Sequence, residues 1–196
     1  MRHLNMLGQN LSAGEQDQLA ELLKLDRFQL KMTYWDLPTP AVADVSGEYD
    51  AQLLDQGDRF GAFLTRVAFG SKGPWVGKAF RPLSHADGEG YNAFGTVEDR
   101  KALLPMDTYI DHSNIVPGNS YILDYRSKNR GPIRWLRGEL RQVSANVLLG
   151  IGTFGPRARR LHKLRRVIPF VLVRSDREYL GGERVRIPEE RERLAG

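Results

Sequence analysis

Acid, base and cation crowd into two short runs of this sequence, Asp124-Tyr125 and Arg137-Gly138-Glu139-Leu140-Arg141. A carboxylate can donate or take a proton, a phenol can assist the transfer, and a guanidinium can stabilise developing negative charge. Asp124, Glu139, Tyr125 and Arg137 are therefore the candidate catalytic groups of an enzyme without a cofactor: a cyclase, isomerase or lyase. If the runs are strands, alternation assigns their faces. Arg137, Glu139 and Arg141 share one face, and Leu136, Gly138 and Leu140 the other. Tyr121, Leu123 and Tyr125 oppose Ile122, Asp124 and Arg126; Asp107, Tyr109 and Asp111 oppose Thr108, Ile110 and His112. The charged faces either pair across strands in solvent or line a cavity that orients the polar end of a ligand. Trp75, Tyr91, Tyr109, Tyr121 and Trp135, with Arg141, are the candidate ligand-binding residues. Such aromatics are core by default, but a phenol or indole on a pocket wall gives both area and one hydrogen bond.

A second chemistry is suggested by Val147–Gly155, where Gly150, Gly152 and Gly155 match G-x-G-x-x-G ahead of Pro156 and a basic run. Those glycines would bring backbone N–H groups to a pyrophosphate at a helix N-terminus. Room argues against it. Each βαβ unit takes about 30 residues or more, the motif lies near the end of the sequence, and Pro169 sits inside the proposed second strand. The same stretch reads as a strand whose missing side chains leave space for a bulky neighbour such as Trp135, or for a ligand. Gly73–Lys78 resembles a P-loop loosely, but it is one residue short and Ala79 stands where a hydroxyl should meet magnesium. No serine sits in G-x-S-x-G, and His3, His85, His112 and His162 are scattered. There is no cysteine, hence no disulfide and no thiolate site. Neither a metal nor any other cofactor is called for.

The elements that would position these residues are short. Residues 1–45 form an N-terminal helical arm and linker, 46–175 a β-barrel, and 176–196 a charged tail that is frayed or weakly helical. Ser12-Ala13-Gly14-Glu15 is a capping box, so a helix spans about 13–25. Leu37-Pro38-Thr39-Pro40 is a stiff linker, and Gly47–Leu53 a first strand or lead-in segment. Asp58 can cap a second helix carrying Phe60, Phe63, Leu64, Val67 and Ala68. From Trp75 onward, apolar and aromatic runs alternate with Gly, Pro, Asn and Asp turns. Strands are expected at 75–80, 91–94, 106–110, 121–126, 135–143, 147–154 and 168–174, with Ser144-Ala145-Asn146 closing a hairpin. So many sequential antiparallel strands must hide their edges, and closure into a barrel does so.

Arg157, Arg159, Arg160, Lys163, Arg165 and Arg166 alone outnumber the net charge of +5. The stretch is either a solvated connection or an interaction module that docks on an acidic partner or a membrane surface. With no aromatic residue among these charges, no specific nucleic acid is expected. No apolar h-region opens the sequence and no run approaches a membrane span, so the default is a soluble, cytoplasmic protein. Homodimerisation is left open.

Leu37-Pro38, Gly47-Glu48-Tyr49, Trp75-Val76-Gly77-Lys78-Ala79-Phe80 and Leu149-Gly150-Ile151-Gly152 follow one another in an order that resembles the uncharacterised GxWxG-type, lipocalin-like bacterial proteins. Leu123-Asp124-Tyr125 and Arg137–Arg141 fit the same picture. The resemblance covers about residues 37–173, with Tyr49 and Ala51 where the family pattern has tryptophan and glycine. It implies a calycin-like barrel that holds a hydrophobic small molecule, and it carries no catalytic residues to transfer.

Overall fold

The computed structural model describes Leu7 and residues 10–55, 72–96, 99–155 and 166–180, with backbone alone at Arg166. Eight antiparallel strands run in sequence order: β1 (Gly47–Leu53), β2 (Trp75–Pro82), β3 (Asp87–Gly95), β4 (Arg100–His112), β5 (Asn119–Asp124), β6 (Leu136–Gln142), β7 (Val147–Phe154) and β8 (Arg166–Arg174). Each pairs with the next, and β8 returns to β1 from Tyr49↔Arg174 to Leu53↔Phe170, closing the barrel. This is the expected lipocalin-like antiparallel barrel, an up-and-down closure that leaves no edge. Two helices precede it, α1 (Ala13–Leu22) and α2 (Arg27–Asp36). The candidate helix after Asp58 and the basic stretch 157–165 lie outside the described residues.

Every strand contributes to one inner cluster, through Tyr49, Phe80, Phe94, Met106, Tyr121, Leu140, Leu148 and Phe170 among others. Val42 and Val45, in and after a short 3₁₀ turn at Val42–Asp44, join that cluster and stop the end where β1 begins. Glycines make the rings fit. A Cβ on Gly150 would stand 2.2 Å from the Phe170 ring, and one on Gly138 would stand 2.8 Å from Leu123. The G-x-G pattern of β7 is thus a packing device, and the bulky neighbour it accommodates is Phe170. Pro169 is tolerated in β8 because it lies just beyond Leu53↔Phe170, the last of the β1–β8 pairs, and its carbonyl still accepts from Leu54 N.

The outer face is covered at two places. The capping box of α1 forms as the sequence requires, with Ser12 and Glu15 bonding reciprocally. Glu15 also accepts from Ser144 Oγ at 2.8 Å, which ties the helix to the β6–β7 hairpin and holds its carboxyl down at about 2. Leu19, Leu22, Leu30 and Tyr34 of the two helices cover Val147, Leu149, Ile151, Val171 and Val173 of β7 and β8. On the other side, residues 175–180 lie against the wall; the rest of the expected tail, 181–196, lies outside the described residues. Tyr179 and Leu180 pack over Tyr91 and Ala93, and Arg177 pairs with Glu48 at 3.1 Å and with Asp50.

Gly150→Ala should destabilise the protein by about 1–3 kcal/mol in urea unfolding, because the new Cβ would overlap the Phe170 ring, which packs edge-on against Trp75. Adding Phe170→Leu should recover part of the loss. Gly152→Ala, whose new Cβ would meet nothing closer than 3.5 Å, should be nearly neutral. Equal midpoints for the two single alanine variants would refute the packing argument.

Candidate functional site

Lys78 points into the barrel from β2 and is only 4% exposed. Its Nζ donates to Asn92 Oδ1 at 2.6 Å and to Tyr125 Oη at 2.7 Å. Asn92, on β3, donates through Nδ2 to the same Tyr125 oxygen at 3.0 Å and to the Leu104 carbonyl at 3.3 Å. The rings of Trp75, Tyr125 and Phe170 lie 5.2, 5.4 and 5.5 Å from Nζ. No carboxylate within ion-pairing distance of this amine is found among the described residues.

Beside this polar group is a small chamber of about 30 Å³, room for a water or two. Leu53, Trp75, Leu136, Ile168 and Phe170 supply its apolar wall, Lys78 and Tyr125 its polar end, and Gly138 and Gly152 its space. The chamber lies at the end of the barrel opposite Val42, where β1 ends and β2 begins. Two bulges build it. One, between Trp75 and Gly77, brings Trp75 onto the inner face beside Lys78. The other falls where Gly90↔Met106 gives way to Asn92↔Leu103, and there Leu104 adopts φ 54°. This frees the Leu104 carbonyl to hold Asn92.

Burial in this apolar setting lowers the Lys78 amine from 10.5 to about 7. The aromatic faces favour the ammonium, but desolvation wins. Burial likewise raises the Tyr125 phenol, so it keeps its proton. The hydrogen bonds suit a neutral amine. Its two hydrogens go to Asn92 and Tyr125, and its lone pair is left over. Such a group can anchor an anionic head when protonated, or act as base or nucleophile when neutral.

The residues singled out by sequence are divided by the barrel wall. Tyr125, Tyr121 and Trp75 lie inside, and Tyr121 donates to Thr108 Oγ1 at 2.9 Å. Asp124, Arg137, Glu139, Arg141, Tyr91 and Tyr109 project from the outer face. Trp135 stands in a 3₁₀ turn at Gly131–Trp135, half exposed. Glu139 is fully buried beneath the β4–β5 connection, accepting from Ser113 Oγ at 2.5 Å, Asn114 N at 3.0 Å and Arg137 Nε at 3.2 Å. Arg141 commits all its N–H donors: to Trp35, Leu37, Pro117 and Asn119 carbonyls and Ser120 Oγ. It therefore fastens α2 to the barrel. Tyr91 donates to buried Glu48 at 2.7 Å and accepts from Leu180 N at 2.9 Å. Tyr109 and Asp124 meet at 3.0 Å in an outer cleft of about 420 Å³, which they share with Arg126, Arg130 and Arg134. Sequence reasoning passed over Lys78 and Asn92. The one signal available was a lysine at an inward position between Trp75 and Phe80.

Lys78 makes stability depend on pH. Above 10.5 the amine is neutral in both folded and unfolded chains. As pH falls from 10.5 towards 7 only the unfolded chain takes up the proton, so stability drops; below about 7 the penalty is constant. Its full size is on the order of 4–5 kcal/mol. Lys78→Met, after about 1–3 kcal/mol is lost at Asn92 and Tyr125, should therefore unfold at higher denaturant than the native chain at pH 7. That advantage should shrink steadily towards pH 10. A difference independent of pH across this window would contradict the assignment.

No family model matches the sequence, and no curated protein does. The chain is similar in fold to a crystallised protein from Thermomonospora curvata, with 14% identity, a TM-score of 0.52, and coverage of 81% of this chain and 97% of that one. At that identity the likeness establishes the barrel architecture alone. Among the described residues, no helix is long and apolar enough to cross a membrane.

Proposed function

We propose that this protein holds a hydrophobic or amphipathic small molecule inside its barrel, with the ligand's polar end at Lys78 and Tyr125. The observation that carries this reading is a lysine on the wall of an apolar chamber with no carboxylate partner among the described residues. Structure alone gives no reason to bury that cation, since a methionine would fill the volume without the desolvation cost. An eight-stranded barrel has an interior of the size that takes packed side chains or one small ligand. The chamber must widen on binding, and the part-exposed Trp75 and Leu53 are the rim residues placed to give way. The resemblance to the GxWxG-type, lipocalin-like proteins points to the same use, and we place it in the cytoplasm.

A second reading, a cofactor-independent cyclase, isomerase or lyase, is favoured by one observation: an amine lowered to about 7 beside a protonated phenol is a poised acid–base pair. In that case Lys78 and Tyr125 carry the chemistry. Asp124, Glu139 and Arg137 would act only on a substrate held outside the barrel, where Asp124 and Tyr109 line the outer cleft.

Thermal-shift and native mass spectrometry screens with fatty, aromatic and polyketide-like molecules should find binders. Gly152→Val, whose Cβ would meet nothing closer than 3.5 Å and whose methyl groups would take up chamber space, should weaken them by roughly tenfold or more (about 1.4 kcal/mol) while keeping the fold. Glu139→Gln should cost about 3–5 kcal/mol of stability by leaving the buried Arg137 unpaired, yet leave the affinity of the remaining folded protein unchanged. Binding that survives Gly152→Val but is lost with Glu139→Gln would move the site to the outer face.

A further inference from the structure

We propose that Lys78 is a carbonyl-capturing residue: its amine condenses with an aldehyde or ketone brought into the barrel, forming an imine held between Trp75, Phe170 and Tyr125. The inference rests on the interior-ligand reading and specifies the class of ligand.

Geometry carries the argument. Nζ gives its hydrogens to Asn92 Oδ1 and Tyr125 Oη, so the lone pair of the neutral amine is the part of the group without a protein partner among the described residues. The chamber is the space beside it. Tyr125 Oη already accepts two hydrogen bonds, from Lys78 and from Asn92, which leaves its own O–H to donate to a carbonyl oxygen in that chamber. Asn92 fixes both partners and is itself fixed by the Leu104 carbonyl. Among the described residues, the ionisable groups facing Nζ are Tyr125 from beyond β5 and Tyr49, its register partner on β1. Both phenols are shifted upward by burial and stay neutral. The remaining neighbours, Asn92, Trp75 and Phe170, do not titrate. At neutral pH a substantial share of Lys78 is therefore nucleophilic, whereas exposed lysines are protonated.

The step balances without a co-reactant. Nζ attacks the carbonyl carbon as the C=O π electrons move to oxygen, and that oxygen takes the Tyr125 proton. Tyr125 is reprotonated by a hydrogen from Nζ, giving a carbinolamine. The C–O bond then breaks, the second Nζ hydrogen leaves with the hydroxyl as water, and the C=N bond forms. One amine and one carbonyl give one imine and one water, with no change of oxidation state. An apolar chamber that holds little water slows the reverse hydrolysis.

The test uses the full chain with benzaldehyde or propanal and sodium cyanoborohydride at pH 7, read by intact mass and peptide mapping. Benzyl alcohol, followed by thermal shift, reports non-covalent occupancy. The expected result is one reductively trapped adduct at Lys78, formed roughly tenfold or more faster than at surface residues such as Lys24, Lys101 and Lys128. Its rate should level off above about pH 7. Tyr125→Phe should slow trapping, and Lys78→Met should abolish the adduct while the protein stays folded. Benzyl alcohol binding with no preference for Lys78 overturns the carbonyl inference and leaves the interior-ligand reading standing. No adduct and no binding of any of the three probes overturns both.

Discussion

Closure of β8 onto β1 is the constraint on which everything else depends. The pairing from Tyr49↔Arg174 to Leu53↔Phe170 removes the last open edge and fixes how much space eight strands enclose. Inside that volume, each large ring requires a small residue nearby. Phe170 occupies the room left by Gly150, and Leu123 the room left by Gly138. Gly152 faces no such ring closely, and the space it leaves becomes the chamber. The cavity is therefore a local remainder of barrel packing, walled by packed side chains except at the part-exposed rim of Leu53 and Trp75.

Against that background Lys78 differs from the buried carboxylates, which are ion-paired, and from Arg141, whose five N–H donors tie α2 and the β4–β5 connection to the wall. Glu48 meets Arg100 and Arg177, and Glu139 meets Arg137 and two further donors. These pairs sit on the outer face under covering segments, where they fasten the 175–180 segment and the β4–β5 connection to the wall. A buried ion earns its place when its partner is held well. Among the described residues the partners of Lys78 are neutral, an amide and a phenol, so no ion pair there offsets its desolvation cost. Groups of that kind concentrate at functional sites because their ionisation can be set near the working pH.

Much of the barrel could be read from period-two patterning and turn residues, because strand alternation and hairpin chemistry are local. The same holds for the α1 cap and for the sharing of one face by Arg137, Glu139 and Arg141. What alternation cannot say is which face a covering segment will bury. Arg141 is enclosed because α2 and the β4–β5 connection both bring carbonyls to it, and these lie about a hundred and about twenty residues away in the chain. Helix α2 itself escaped notice although Asp26 and Gln29 form a capping box. Its buried residues are only Leu30 and Tyr34, while Phe28, Met32 and Trp35 face outward and blur the apolar stripe.

The site was hidden for a stricter reason. Trp75 and Lys78 are separated by an odd number of positions, so in a regular strand they would point to opposite faces. The extra residue at the Trp75–Gly77 bulge restores them to one face. A second irregularity on β4 places Leu104 at φ 54°, a conformation that costs a non-glycine residue on the order of 1 kcal/mol or more. It turns a backbone carbonyl out of the ladder and towards Asn92. Both departures from regular strand geometry serve the same three side chains, Lys78, Asn92 and Tyr125. Strand breaks of this kind leave no period in the sequence, because one inserted residue inverts the pattern that would reveal them. The polar group inside the barrel thus depends on irregular backbone held in place by a regular, closed sheet.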